Sequence, residues 1–158
     1  MSYGILKPGL VQEALQMVLP FIETTLVNRA KRQHLAIVVT GTQVILEYDP
    51  DKSFKDNCLV VTGIGDQENW EHDYEEIALS KAMKSVRTGA PTSDLPPHYL
   101  LDEDTVFWGS DVLEDIVTAC SGVEPYYDEM FSCWINAAIR ALCKKKFAEL
   151  PAGTEFIR

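Results

Sequence analysis

The stretch from residue 115 to residue 146 constrains the fold most, because an apolar run, a glycine turn and a long amphipathic segment follow one another there. Residues 116–120 are almost entirely apolar and end at Ser121-Gly122, a pattern that predicts a buried strand followed by a sharp turn. Pro125 suits the first position of a helix, where the N–H that proline lacks would be unpaired anyway. The sequence therefore predicts a strand that turns at Gly122 into a helix.

The charges and apolar residues after Pro125 have the order expected of one long helix. Asp128 and Glu129 lie in its first turn and three lysines, 144–146, in its last turn, as the helix dipole favours. Between them, apolar residues recur at steps of three and four and form one stripe. Trp134 belongs to this stripe, so we expect it to pack in the core. The stripe consists of Phe131, Trp134, Ile135, Ala138, Ala141 and Leu142.

The rest of the chain alternates between helical and strand-like periodicity. The predicted helices are Leu10–Arg32, Asp73–Gly89 and the C-terminal helix, and the predicted strands are His34–Val39, Val44–Tyr48, Cys58–Thr62, Thr105–Trp108 and Val112–Cys120. This order, α-β-β-β-α-β-β-α, predicts an α+β fold, an antiparallel five-stranded sheet on which long N- and C-terminal helices and a middle helix pack. With 158 residues, we expect a single domain over residues 1–158.

Charge and cysteine usage narrow the classes of partner and the compartment. The formal net charge of −10 disfavours binding to nucleic acid or to an anionic membrane, and it leaves a basic protein partner open. No apolar run approaches the ~20 residues of a membrane-spanning helix, and the N-terminus lacks a signal-peptide pattern. The four cysteines lie in apparent core elements, which predicts free thiols in a reducing compartment. We therefore expect a cytoplasmic protein.

The sequence predicts no metal site and no catalytic residues, because each candidate motif is incomplete. A calcium loop starting at Asp49 would need glycine and glutamate at its sixth and twelfth positions, where Phe54 and Val60 stand. No Cys-x-x-Cys pair or helical histidine pair is present for zinc. Among the histidines, His98 is the best candidate for a ligand contact, because the loop that it shares with Tyr99 and Trp108 is aromatic.

Four segments, in order, resemble motifs of one family. They are Leu35–Val39 with its glycine turn, Ile77–Ala82, Thr88–Leu95 and Ala119–Asp128. The family motifs that the last three segments resemble are, in the same order, Ile-Ala-x-x-Lys-Ala, Gly-Arg-Pro-Thr-Ser-Glu-Leu and Gly-Val-Ser-Gly-Gly-Thr-Pro-Glu-Gln-Asp. Over roughly residues 10–142 the chain thus resembles the small α+β domain shared by GlcG, the haem-binding protein HbpS and the C-terminal domain of PduO. The family's Phe-Pro-Gly-Gly-x-Pro segment is shortened here to residues 107–110.

The resemblance implies a homo-oligomer that binds a small molecule, which is haem or another tetrapyrrole in some members of the family. It also implies a ligand pocket beside Gly109 and Ser121. Together with the aromatic loop, this gives five candidate cofactor-binding residues: His98, Tyr99, Trp108, Gly109 and Ser121.

Three hypotheses follow for the function. The first is a non-catalytic oligomeric protein that binds a small organic ligand. The second is an acidic accessory or protein-interaction module that keeps the scaffold without the pocket. The third is an enzyme acting on small carbonyl or aromatic metabolites, with His98, Asp102 or Tyr126 as acid or base.

Overall fold

The computed structural model describes residues 4–70 and 72–158, which form four α-helices and four strands. Helix α1 continues without a break into a π-helical turn over Leu26–Ala30. The elements in chain order are α1 (Pro8–Thr25), β1 (Leu35–Gly41), α2 (Phe54–Asn57), β2 (Val60–Ile64), α3 (Tyr74–Thr88), β3 (Ser110–Leu113), β4 (Ile116–Ser121) and α4 (Pro125–Ala148).

The four strands form one antiparallel sheet in the order β2-β1-β4-β3. The two central strands, β1 and β4, are buried along their whole length. Alternate residues of a strand point to opposite faces of the sheet, and β1 divides accordingly. Ile37 packs with α1 and α4 in one apolar cluster, whereas Val38 packs with Ala78 and Ala82 of α3 in a second. The sheet therefore lies between α1 and α4 on one face and α3 on the other.

The strand over residues 116–120, the turn at Gly122 and the helix after it are confirmed, whereas the predicted longer strand Val112–Cys120 is interrupted by a hairpin turn at Glu114 and Asp115. Strand β4 ends at Ser121 and α4 begins at Pro125, with Gly122 at a positive φ of 152° between them. Trp134 is partly buried and packs edge-to-face on Phe131, with 5.7 Å between the ring centroids. The segment thus crosses one face of the sheet as expected.

The prediction of five strands is wrong, because Val44–Tyr48 is not a strand. The backbone turns directly after β1, where the N–H groups of Ile45 and Leu46 both donate to the Thr42 carbonyl. The Tyr48 hydroxyl then lies 2.6 Å from Thr40 Oγ1 and donates to the Gly41 carbonyl at 3.0 Å. These contacts hold the segment as an irregular arch over the end of β1, whose antiparallel partner is β2 instead.

The predicted strand Thr105–Trp108 is also absent, and its place is taken by β3 over Ser110–Leu113. The backbone of the predicted strand bonds to side chains of α3: Thr105 N–H donates to Ser80 Oγ, and the Lys84 ammonium donates to two carbonyls. Strands β3 and β4 join through Glu114 and Asp115, which have φ values of 50° and 67°. Two positive φ values match the type I′ turn of a tight hairpin.

One helical stretch, Pro8–Ala30, is long and apolar enough to cross a membrane by length and composition alone. This differs from the expectation that no apolar run approaches the length of a membrane-spanning helix. Its inner face, including Val11, Ala14 and Ile22, is buried against the sheet and α4, and a core helix meets the same criterion.

Replacing Gly122 with alanine should destabilise the fold. A Cβ atom there would collide with the His34 carbonyl oxygen, and the residue has a φ that L-residues rarely adopt. We expect the free energy of unfolding to fall by about 3 kcal/mol, measured by urea denaturation.

The matched control is Gly89→Ala, at the C-terminal cap of α3. Gly89 also has a positive φ, 71°, but a Cβ there would meet nothing within 4 Å. The expected loss is only about 1 kcal/mol, from backbone strain alone. Equal losses for the two variants would show that close packing against β1 is unimportant at Gly122.

Candidate functional site

A cleft of about 660 Å³ opens where β4 turns into α4. One wall comes from the first half of α3, and the opposite side comes from the turn and the first residues of α4. Phe107, from the segment before β3, contributes an aromatic side chain. The lining residues are Arg32, His72, Tyr74, Ile77, Lys81, Phe107, Ser121, Gly122, Val123, Glu124, Pro125 and Asp128.

A buried ion pair lies in the floor of this cleft. Lys81 and Asp128 are each only 1% exposed, and Lys81 Nζ lies 3.0 Å from Asp128 Oδ2. The ammonium also donates to the Cys120 carbonyl at 2.8 Å, and Asp128 Oδ1 accepts from Val123 N–H at 3.3 Å. The pair therefore connects α3, the end of β4 and the first turn of α4.

Gly109 makes room for the ion pair. A Cβ atom on this residue would lie 2.6 Å from Asp128 Cβ and 2.9 Å from Lys81 Nζ. Its φ of 137° also belongs to the region that favours glycine. The Gly109 carbonyl accepts from Cys120 N–H, and the Ser132 hydroxyl lies 3.3 Å away. Any larger residue at 109 would displace one of the two charged side chains.

Burial decides the protonation behaviour of the pair. Removal from water raises the pKa of Asp128 to about 7, although the Lys81 charge and its hydrogen bond act in the opposite direction. Burial likewise raises the pKa of the neighbouring Cys120 thiol to about 12, so that thiol is neutral at physiological pH. Asp128 is thus a buried carboxyl group that titrates near neutral pH.

The mouth of the cleft is aromatic and carries one exposed ion pair. Tyr74 packs against His72, with 5.8 Å between the ring centroids. Arg32 lies 3.7 Å from Glu124, and both side chains are more than a third exposed. Such an exposed pair contributes little to stability, so Arg32 remains accessible to a ligand.

Lys84, one turn after Lys81, positions the wall that carries Phe107. Its ammonium donates to the carbonyls of Thr105 and Phe107 at 2.8 and 3.0 Å. Burial lowers the pKa of Lys84, and the nearby Asp104 carboxylate opposes this effect. The two lysines of α3 therefore have different partners: Lys81 bonds to the floor of the cleft and Lys84 to its wall.

The structure brings together only part of the predicted site. Ser121 lines the cleft, and Gly109 lies directly beneath the ion pair. Trp108 is partly buried and is not among the lining residues, while His98 and Tyr99 are exposed on a short 3-10 turn outside the cleft.

Lys81 and Asp128 were not predicted as site residues. Both stand inside segments that resemble family motifs, Ile77–Ala82 and Ala119–Asp128. Asp128 was interpreted only as a charge complementing the helix dipole. Their sequence separation of 47 residues concealed the contact, which depends on the way α3 and α4 meet at the end of β4.

The described residues offer no group of three metal-ligating side chains. They also do not fit haem well. Of the three histidines only His72 lines the cleft, and it is exposed at the mouth, whereas the floor is a hydrogen-bonded ion pair. A buried histidine ligand for haem iron is therefore lacking among the described lining residues, and we assign no role to haem.

Comparison with known proteins gives a likeness in fold. No family model matches the chain, and no curated protein matches it. Among solved structures, the crystal structure of Klebsiella pneumoniae protein ORFY, family-model DUF336, superposes with a TM-score of 0.56. The match covers 89% of this chain and 94% of that chain at 14% sequence identity. DUF336 is the GlcG-like family, so the likeness agrees at the level of fold with the resemblance found in the sequence.

The Asp128 carboxyl should make stability depend on pH. Its folded-state pKa of about 7 is above the ordinary value of 3.8, so the folded state binds more protons between these values. The contribution of this group is therefore present at low pH and is lost as pH rises through 7. We expect the free energy of unfolding, relative to that of Asp128→Asn, to fall by roughly 2–3 kcal/mol from pH 5 to pH 8.

The isosteric Asp128→Asn variant is the reference, because the contributions of all other titrating groups cancel when its free energy of unfolding is subtracted from that of the wild-type protein. Chemical denaturation at several pH values gives both curves. A difference that is constant over this range, or that grows with pH, would contradict the raised pKa.

Proposed function

We propose that this protein is a non-catalytic binding protein for a small organic molecule, which it takes up in the cleft at the β4–α4 turn. The observation that carries the proposal is the position of a buried ion pair, Lys81–Asp128, in the floor of a cleft with aromatic side chains. A concave site with apolar walls and few polar groups is the usual form of a small-molecule site. Its volume of about 660 Å³ is within the ordinary range for such sites.

The arrangement of titratable groups supports binding more than catalysis. Asp128 is engaged by Lys81 and by a backbone N–H, and apart from Lys81 the described lining residues present no buried acid or base beside it. The residues considered for acid–base chemistry, His98, Asp102 and Tyr126, are exposed and do not line the cleft. General acid–base catalysis needs such groups within hydrogen-bonding reach of one substrate.

The alternative of an acidic interaction module without a pocket has weaker support. A cleft is present beside Gly109 and Ser121, where that hypothesis assumes none. The net charge of −10 remains as its motivation, and a basic protein partner would be the corresponding binding partner. Charge alone also serves solubility, so it does not favour this alternative.

Ring-containing fragments should bind at the cleft. We expect a fragment titration followed by amide NMR to shift the signals of residues 121–128 and of Phe107. Phe107→Ala should weaken binding by about tenfold, because the ring contributes stacking and apolar contact. Since Phe107 is 51% exposed, the variant should keep its melting temperature.

Phe156→Ala is the matched control, because Phe156 is 65% exposed and is not among the cleft-lining residues. It should leave fragment affinity unchanged. Fragment binding that is insensitive to Phe107→Ala, or signals that shift only outside the cleft, would contradict the proposal. Haemin serves as a further ligand in the same titration: we expect no Soret shift that depends on His72 or His98.

We also propose that the chain forms a homo-oligomer through the outer face of α1 and α4. This face has a groove with two alanines in its lining, and Phe21 projects beside it. A twofold interface uses the same patch on both copies, so a patch with both a projecting side chain and a recess can match itself. The groove is lined by Val18, Phe21, Trp134, Ala137 and Ala138.

Phe21→Glu should therefore convert the oligomer to a monomer, because it places a charge in the apolar centre of the interface. Light scattering coupled to size-exclusion chromatography measures the mass. Val106→Glu is the control, since Val106 is 76% exposed and lies outside this face. A wild-type chain that is monomeric at high concentration, or a Phe21→Glu variant of unchanged mass, would refute this assembly.

A further inference from the structure

We propose that the ligand is a small aromatic carboxylate, whose carboxylate group accepts a hydrogen bond from Lys81 at the floor of the cleft and whose ring lies between Tyr74 and Phe107. This inference rests on the proposed function, since it assigns a chemical class to the molecule held in the same cleft. It also implies that binding is coupled to the uptake of a proton by Asp128.

Lys81 has one more hydrogen-bond donor than the acceptors described around it. An ammonium group has three N–H donors, and Lys81 uses two of them, one to the Cys120 carbonyl and one to Asp128 Oδ2. Among the described residues, no third acceptor bonds to this nitrogen. A buried donor without a partner is costly, and charged donors are the costliest. Because Lys81 lines the cleft, a ligand oxygen at the floor would accept a hydrogen bond from its third N–H.

The charges around the floor of the cleft favour an anionic ligand once Asp128 is protonated. The positive groups are Lys81 on α3 and the first turn of α4, whose backbone dipole favours an anion. Arg32 lies at the mouth, paired at 3.7 Å with Glu124. The negative groups are Asp128 and Glu124, so the site has no excess positive charge while Asp128 is ionised. Protonation of Asp128 leaves the Lys81 charge uncompensated and free to hold an anion.

The proton taken up on binding is the one that binds the Asp128 carboxyl group. The groups that act on Asp128 are Lys81 from α3, the Val123 N–H and the Glu124 carboxylate from the β4–α4 turn, and the largest effect is burial. Burial and the Glu124 charge raise its pKa to about 7, against the opposing effects of Lys81 and the Val123 N–H. A bound carboxylate adds a further negative charge nearby, which raises this pKa more. The complex therefore binds a proton that the free protein partly lacks, and affinity increases as pH falls.

The aromatic side chains in the walls of the cleft indicate that the ligand contains a ring. Tyr74 and Phe107 line the cleft on two different segments, and aromatic side chains stack favourably on planar ligands. Phe107 is held in place by the bond from Lys84 to its carbonyl. A purely aliphatic acid would satisfy Lys81 but would make no ring contact with Phe107, whereas Tyr74 already packs edge-to-face on Trp70 and His72.

The experiment is a titration of the wild-type protein with benzoate and with benzamide, its neutral isostere, at pH 6 and pH 8. Amide NMR reports the site and calorimetry the affinity. We expect benzoate to bind about tenfold more tightly than benzamide at pH 6, from one charge-assisted hydrogen bond. Benzoate affinity should fall about tenfold between pH 6 and pH 8, whereas benzamide affinity should change little.

Three variants distinguish the roles of Lys81, Asp128 and His72. Lys81→Met should remove the preference for benzoate. Asp128→Asn should keep benzoate binding and make it independent of pH, because the proton-binding group is gone. His72→Gln should retain the pH dependence, which would exclude the histidine as its source. Circular dichroism and melting curves check the fold of each variant, and the benzoate–benzamide comparison on the wild-type protein needs none of them.

The outcomes distinguish this inference from the proposed function. If benzoate and benzamide bind equally well at the cleft, or if only other ring compounds bind there, the carboxylate assignment is overturned while the binding function stands. If folded Lys81→Met keeps the preference for benzoate, the role of Lys81 is overturned. If no ring compound of any charge perturbs residues 121–128, both proposals fail.

Discussion

The buried bond between Lys81 and Asp128 is the interaction on which the geometry of this end of the molecule depends. Helices α3 and α4 cover opposite faces of the sheet, and the pair connects them past the end of β4. Strand β3 begins only at Ser110, so the Cys120 carbonyl accepts from the lysine ammonium. A side chain thus occupies a position where a longer strand would place a backbone donor. Removing the Lys81 ammonium would leave the Asp128 carboxylate buried without its charged partner, which is destabilising while that group is ionised.

The sequence predicted the central part of the fold because local signals and tertiary packing agree there. The apolar run before Gly122, Pro125 and the stripe through Trp134 all indicate the same strand, turn and helix, and β4 and α4 have nearly those bounds. The errors lie where side chains satisfy the backbone instead of neighbouring strands. Val44–Tyr48 has a strand-like composition, but the hydrogen bonds of Tyr48 to Thr40 and Gly41 favour an arch.

The site was predictable only in part, for a related reason. Gly109 and Ser121 were named because the family resemblance implies a ligand pocket beside them, and both are at the cleft or directly below it. His98 was named because its loop is aromatic, but nothing in the sequence fixes where that loop lies. Lys81 and Asp128 were read as members of two separate helices. Only the crossing of these helices at β4, a long-range feature, reveals that their charges meet.

The likeness to ORFY extends over most of both chains and concerns the arrangement of helices and strands. Proteins with one fold can have many functions, so a function has to be argued from the residues of a site. In this chain those residues are an ion pair with a free donor, two aromatic side chains and a glycine that makes room for them. None of these features follows from the fold alone.

The segment bearing Phe107 has a consequence for how a molecule reaches the cleft. Its backbone is attached to α3 by three hydrogen bonds, from Lys84 to two carbonyls and from Thr105 to Ser80, and it has no place in the strand ladder. Elements held by few contacts open locally at much lower free energy than the core. Local opening of this segment would uncover the floor of the cleft while β1 and β4 stay paired, so the proposed ligand would exchange without global unfolding.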